Sequence, residues 1–358
     1  MKFGLLYEIE VMRPWDERSH YNAFWQAIEQ IKLAEEVGFS YAWSVEHHFL
    51  DQFSISSAPE VWLAAAAQHT STIRIGHGVV LLPFGYNHPI RVAERAATMD
   101  IVTNGRLELG TGRSITMLEM EPFGVDPAQT RDEWDEALRM IPKMWTSEEF
   151  SWESPRIKIP PRNIVPKPIQ KPHPPLWAAG TQPATAVAAG ERGVGFLHFS
   201  LSDPQGLDEK VATYRKAIST CDPVGEFVNE NFAAFSIMFC GNDDSDAYSR
   251  GGKPIQWYAK TVESLYSLWA NSSVEGYQWY RDRFESQDPN AVERSIEELV
   301  DLKAVCVGGP QRCIEIAKWY ESQGVDQLIF LVQAGWLSHE DICDSLRRFG
   351  AEVMPAFK

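Results

Sequence analysis

Eight times along this chain a short apolar run is followed by a longer stretch with helical spacing, and no other feature limits the fold as much. The runs are KFGLLYE (2–8), YAWSV (41–45), IRIGHGVVLL (73–82), RLELGTG (106–112), PLWAAG (175–180), VGFLHFS (194–200), NFAAFSIMFCG (231–241) and DQLIFLVQAG (326–335). Most are continuously apolar rather than alternating, the pattern of strands covered on both faces and so of a parallel sheet. Residues 22–37 show helical spacing and stop at Gly38; further helices are expected after Pro89, near 131–146, over TAVAAGER and up to about 220. Ser57-Ala58-Pro59-Glu60 has the form of a capping box, and Ser338 stands where an N-cap belongs. Eight β-then-α units in order predict one α/β domain over 1–358, a (β/α)8 TIM barrel. LKAVCVGG (302–309) is read as a connection into a helix near 310–323 rather than as a ninth strand. Two excursions exceed what the barrel needs and are expected at its C-terminal face. One is the Pro-rich 147–174; the other is 241–300, with Trp257, Tyr258, Tyr266, Trp269, Tyr277, Trp279, Tyr280 and Phe284.

Charge narrows the partners. With 49 acids against 33 bases the net charge is −16. Such a surface repels phosphate backbones and anionic lipid, which makes nucleic acid and membrane poor partners. No run of about 18 apolar residues suits a membrane span. MKFGLLYEIE carries acids too early for a secretory signal. The five cysteines include no CxxC pair and point to reduced thiols in a cytoplasmic protein, without a zinc ribbon or disulfide framework. Asn271-Ser272-Ser273 has the form of a glycosylation acceptor, a chance match without a secretory route.

In such barrels the chemistry sits at the C-terminal ends of the strands. Glu46, His47 and His48 follow the second strand there. Adjacent residues on an extended chain point to opposite sides, so the two imidazoles do not converge on one metal ion. Neither an HxH on the first strand nor an HExxH helix is present. Position alone is equally compatible with a polar loop. GTGRS (110–114) ends the fourth strand. Gly110 and Gly112 there allow close approach of a flat or phosphorylated ligand, and Arg113 could clamp a phosphate; an ordinary turn with a surface arginine explains the loop as well. In AAGTQPATA (178–186), Ala179, Gly180, Thr181, Gln182 and Thr185 lead into a helix. Its free N–H groups and hydroxyls make a candidate anion site, and simple N-capping by Thr181 is the plainer account. No GxGxxG fingerprint is completed and no Walker loop occurs.

These segments together carry a resemblance. KFGLLYE, GFSYAWSVEHHF, the NHPIRVAE run, GRLELGTGRS and VGGPQRCIEIAKWYESQGVDQLIFLVQAG stand in the order found in the bacterial luciferase-like flavin monooxygenase family. The resemblance covers roughly 1–200 and resumes near 308. It implies a (β/α)8 barrel that uses reduced FMN, or in some branches a reduced deazaflavin, with O2 and a small organic substrate. His47 matches the family histidine beside the flavin, a base or proton donor, with Glu46 and His48 as neighbours that orient it. Arg113 matches the phosphate-binding arginine, and Gly180, Thr181, Gln182 and Thr185 match the segment that holds the phosphate. The resemblance also implies a homodimer served by a separate flavin reductase. The light-emitting luciferase subunit has a cysteine where this chain has Gly112, and neither excursion resembles a luciferase closely, so light emission and a long-chain aldehyde substrate are not carried over. Two other functions stay open here: a deazaflavin-dependent hydride-transfer enzyme and a non-catalytic flavin-binding protein, the latter disfavoured by the retained EHHF.

Overall fold

The computed structural model describes residues 1–199, 204–267, 269, 274, 276–285 and 294–357. Ser200, the last residue of the predicted sixth strand, and the Asn271–Ser273 triplet lie outside these, as does the side chain of Phe284. The strands are β1 (Lys2–Tyr7), β2 (Tyr41–Ser44), β3 (Arg74–Leu81), β4 (Leu107–Gly112), β5 (Phe150–Glu153), β6 (Lys158–Arg162), β7 (Leu176–Gly180), β8 (Gly195–His198), β9 (Phe232–Cys240), β10 (Cys306–Gly308) and β11 (Gln327–Leu331). The order β1-β2-β3-β4-β7-β8-β9-β11 closes on itself through parallel β8–β9 and β11–β1 pairing. All eight predicted strands are present, and the molecule is a (β/α)8 TIM barrel. Its interior is filled rather than open: the buried indoles of Trp43 on β2 and Trp177 on β7 meet edge to face at 5.5 Å across the barrel.

Helix boundaries follow local chemistry. The helix Ser19–Val37 ends at Gly38, whose φ of 107° is open to glycine at little cost. Ser338 is the N-cap its position suggested: its hydroxyl accepts from the Asp341 amide at the start of the helix His339–Arg348. Two expectations need correction. The helix Pro59–Ala67 has Ala58 at its N-cap with no side-chain bond; Ser57 sits one residue too early, and Glu60 is drawn instead to Arg95 at 2.7 Å. The segment 302–309 contains a strand, β10, paired with Met238–Cys240. The reason is the length of β9. It runs nine residues beside the four of β8, so its upper edge would leave buried backbone groups unpaired without β10.

Both excursions carry regular elements. The first holds the antiparallel β5–β6 hairpin. In the second, the helix Asp244–Ser267 turns Tyr258, Val262 and Tyr266, spaced four apart, toward the barrel mouth. Beyond it Trp269 stacks on Tyr277 at 3.9 Å, and Trp269 Nε1 donates to the Ile115 carbonyl at 2.5 Å. The described part of 241–300 thus packs onto the loop that follows β4.

Gly110 serves the barrel wall itself. A Cβ there would lie 2.0 Å from the backbone oxygen of His77 on the neighbouring strand, an atom that cannot swing aside. Gly110→Ala is expected to cost about 1–3 kcal/mol or more as the two strands are forced apart. An unchanged urea midpoint would show that the wall has slack there.

Candidate active site

A cavity of about 940 Å³, its open mouth included, lies at the C-terminal ends of β1 to β4, β7 and β8. Among the residues singled out from sequence, Glu46, His47, Gly112 and Arg113 line it on one side. Ala179, Gly180, Thr181, Gln182 and Thr185 line it on the other. Gly110 and His48 are not part of its surface. Much of the remaining wall is apolar, including Leu6, Val45, Phe53, Val79 and Phe199.

His47 stands between two carboxylates. Its Nδ1 donates to Glu119 Oε1 at 2.8 Å, and its Nε2 lies 3.7 Å from Glu8 Oε2. Glu119 is wholly buried on the short helix Met117–Met120, which Thr116 caps. It also accepts from the His48 amide at 3.0 Å and from Ser114 Oγ at 3.2 Å, so it is fixed before any ligand arrives. Burial alone would push the His47 pKa down. The charges of Glu119 and Glu8, the hydrogen bond to Glu119 and the charge of Glu46 outweigh that and raise it to about 9. His47 is therefore a cation at neutral pH. Glu8 follows β1 directly; burial raises its pKa, and His47 together with the Tyr258 hydroxyl at 3.2 Å pull the other way.

Glu46 holds the scaffold. Its carboxylate accepts from the Leu81 amide at 2.7 Å and from Asn87 Nδ2 at 2.9 Å. Arg95 in turn bonds Asn87 and Glu60. The ends of β2 and β3 are thereby tied together, with His47 one residue along. His48 turns out of the cavity: its ring stacks on Tyr86 at 5.9 Å and meets Phe123 at 4.7 Å, with Nε2 3.5 Å from Glu46.

The opposite end brings a guanidinium and a helix N-terminus together. Arg113 is half-buried, and its guanidinium lies 5.3 Å from the Tyr277 ring. Among the described residues it has no ion pair and no hydrogen bond. Across from it begins the nine-residue helix Pro183–Glu191, with Gln182 at the N-cap and no acid in its first turn. Its positive end is uncompensated. Thr181 Oγ1 pairs with Tyr280 Oη at 3.4 Å, and Gln182 Nε2 donates to the Gly276 carbonyl at 3.4 Å. At Gly112 a Cβ would meet Val79 at 2.5 Å, so any side chain would narrow the passage between the two ends. An unpaired guanidinium, a free helix N-terminus and an apolar-walled cleft suit a planar cofactor with a phosphate tail. Among the described residues no three His, Cys, Asp or Glu side chains are grouped to hold a metal ion.

Sequence reasoning missed Glu8 and Glu119 as site residues and named Tyr258 only among the aromatics of the second excursion. Glu8 had a usable signal: it ends an apolar run at a strand mouth, as Glu46 nearly does. Glu119 had none, and the pairing of Tyr258 with Glu8 had none, since both arise by tertiary folding.

The family model described as luciferase-like monooxygenase matches residues 1–327. The oxygenase component of the flavin-dependent trigonelline monooxygenase of Acinetobacter baylyi is 26% identical over 361 residues, covering 100% of this chain and 96% of that one. The oxygenating constituent of 3,6-diketocamphane monooxygenase from Pseudomonas putida, solved with FMN, superposes with a TM-score of 0.79 at 22% identity, over 99% of this chain and 98% of that one. The coenzyme F420 dependent tetrahydromethanopterin reductase of Methanopyrus kandleri superposes with a TM-score of 0.67 at 20% identity, over 100% and 99%.

The charge on His47 has a measurable consequence. Its pKa is raised on folding from 6.5 to about 9. A raised group stabilises through its protonated form, fully below the unfolded value and progressively less as pH climbs through the folded one. Denaturant unfolding near pH 6 and near pH 9.5 should show wild type losing on the order of 3 kcal/mol relative to His47→Gln. A difference that stays constant with pH would mean that His47 is not charged in the folded protein.

Proposed function

The chain belongs to the luciferase-like monooxygenase family, an oxidoreductase family, and we propose that it is the oxygenase half of a two-component system: it takes reduced FMN from a separate reductase and uses O2 to oxygenate a small organic molecule. The observation that carries the reading is the two-ended cavity, with cationic His47 braced by Glu119 and Glu8 at one end and, at the other, Arg113, unpaired among the described residues, facing a helix N-terminus. Reduced FMN, when bound, supplies the electrons that activate O2. Arg113, Thr181, Gln182 and Thr185 hold its phosphate. The apolar walls of Leu6, Val45, Phe53 and Phe199 keep bulk water from the reacting end. His47, already protonated, is the acid: it gives a proton to oxygen and recovers it from solvent, while Glu119 keeps Nδ1 engaged and the ring in place.

The closed phosphate end favours FMN over a deazaflavin whose tail continues past its phosphate: Tyr277 lies beside Arg113, and Tyr280 and Gly276 contact Thr181 and Gln182. The relative from Acinetobacter baylyi is itself named an oxygenase component, in keeping with a reductase partner. The absence of a completed GxGxxG turn fits a chain without its own nicotinamide site.

Arg113→Ala removes a charge-assisted bond to phosphate, and FMN affinity should fall roughly ten- to a hundredfold. Riboflavin, which lacks the phosphate, should bind both forms alike; equal losses would remove the phosphate assignment. Photoreduced FMN should support O2 uptake without any nicotinamide, and NADH alone should bleach FMN slowly until an unrelated flavin reductase is added. Fast bleaching by NADH alone would defeat the two-component reading, and turnover only with a reduced deazaflavin would replace FMN.

A further inference from the structure

Of the three carboxylates around His47, Glu8 has the fewest hydrogen-bond donors among the described residues. Glu46 is saturated by Leu81 and Asn87. Glu119 is saturated by His47, His48 and Ser114. Glu8 is not. Tyr258 donates to its Oε1 at 3.2 Å, and Ser54 Oγ goes to its backbone oxygen at 2.7 Å. Among the described residues its Oε2 has no hydrogen-bond partner, although the residue is 3% exposed. His47 Nε2, at 3.7 Å, is too far to serve. A buried carboxylate oxygen without a donor is a costly arrangement. The carboxylate is also held in place: the Tyr258 ring stacks on Phe53 at 5.1 Å and on Phe235 at 6.4 Å. Around it the wall is hydrocarbon, with Leu6, Phe53 and Val262 on the cavity surface.

We propose that Glu8 anchors the organic substrate by accepting, at Oε2, a hydrogen bond from a neutral hydroxyl or N–H group on an otherwise apolar molecule. This rests on the monooxygenase reading of the cavity and adds the class of molecule it takes. An apolar ketone or hydrocarbon of the same shape leaves Oε2 unpaired. An ammonium would bring a second positive charge beside the His47 imidazolium, whereas a neutral donor completes the pairing of Glu8 without that repulsion. Tyr258 is a positioning residue: it fixes Oε1, so that Oε2 is the oxygen left for the ligand.

The test is calorimetric titration of the FMN-loaded protein with matched pairs: 2-naphthol against 2-methoxynaphthalene, and a bicyclic terpene alcohol against its methyl ether. The (2-naphthyl)methylammonium ion is the third arm. On at least one frame the hydroxyl compound should bind roughly ten- to a hundredfold more tightly than its ether, and the ammonium no more tightly than the naphthol. In Glu8→Met the hydroxyl-to-ether ratio should fall below about threefold. No hydroxyl preference on any frame in wild type overturns the proposal, whether or not Glu8→Met folds. So does a preference that survives in Glu8→Met, or an ammonium that binds tightest. The same titrations on flavin-free protein read the preference even if FMN fails to bind, so a failed cofactor reading and a failed anchor give different results.

Discussion

Everything at the mouth of this barrel turns on keeping an imidazole and three carboxylates largely out of water within a few ångströms of one another. Left to burial alone, His47 would be neutral and Glu8 would be pushed toward its protonated form. The structure resolves this by distributing donors unequally. Glu46 receives the Leu81 amide and Asn87, Glu119 receives His47 together with the His48 amide and Ser114, and Glu8 receives the Tyr258 hydroxyl, with His47 Nε2 3.7 Å away. Two acids are thereby finished, one is left half-paired, and the imidazole among them carries the positive charge. Groups whose environments push their protonation apart in this way divide acid and acceptor roles between them.

The barrel makes that distribution possible because each group arrives on a different element. Glu8 follows β1, His47 follows β2, Leu81 closes β3, and Glu119 comes from the loop after β4. The indoles of Trp43 and Trp177 fill the space below. The helix Asp244–Ser267 supplies a wall above, so a segment beyond the basic fold decides how much room a substrate has.

The fold was legible because parallel strands covered on both faces leave long apolar runs, and all eight could be counted. β10 was not, since it exists only to pair the overhang of β9, a length mismatch that no local pattern records. That GTGRS and GTQPAT meet in one cavity was legible, because glycines, hydroxyls and a helix start fall close together in sequence at two strand ends. The acid–base end was legible only in part. His47 is 72 residues from Glu119, and Glu8 is 250 residues from Tyr258. His48 illustrates the limit from the other side: strand alternation separated it from His47, but only the packing of Tyr86 and Phe123 shows which of the two faces the cavity.

The central claim is that His47 is held as a cation, and NMR titration of its ring nitrogens in the flavin-free protein, with the resonance assigned through His47→Gln, tests it most directly. Both ring nitrogens should be protonated at pH 7, and the ring should titrate near 9. A neutral ring at pH 7, titrating at or below the ordinary value of about 6.5, would contradict the account.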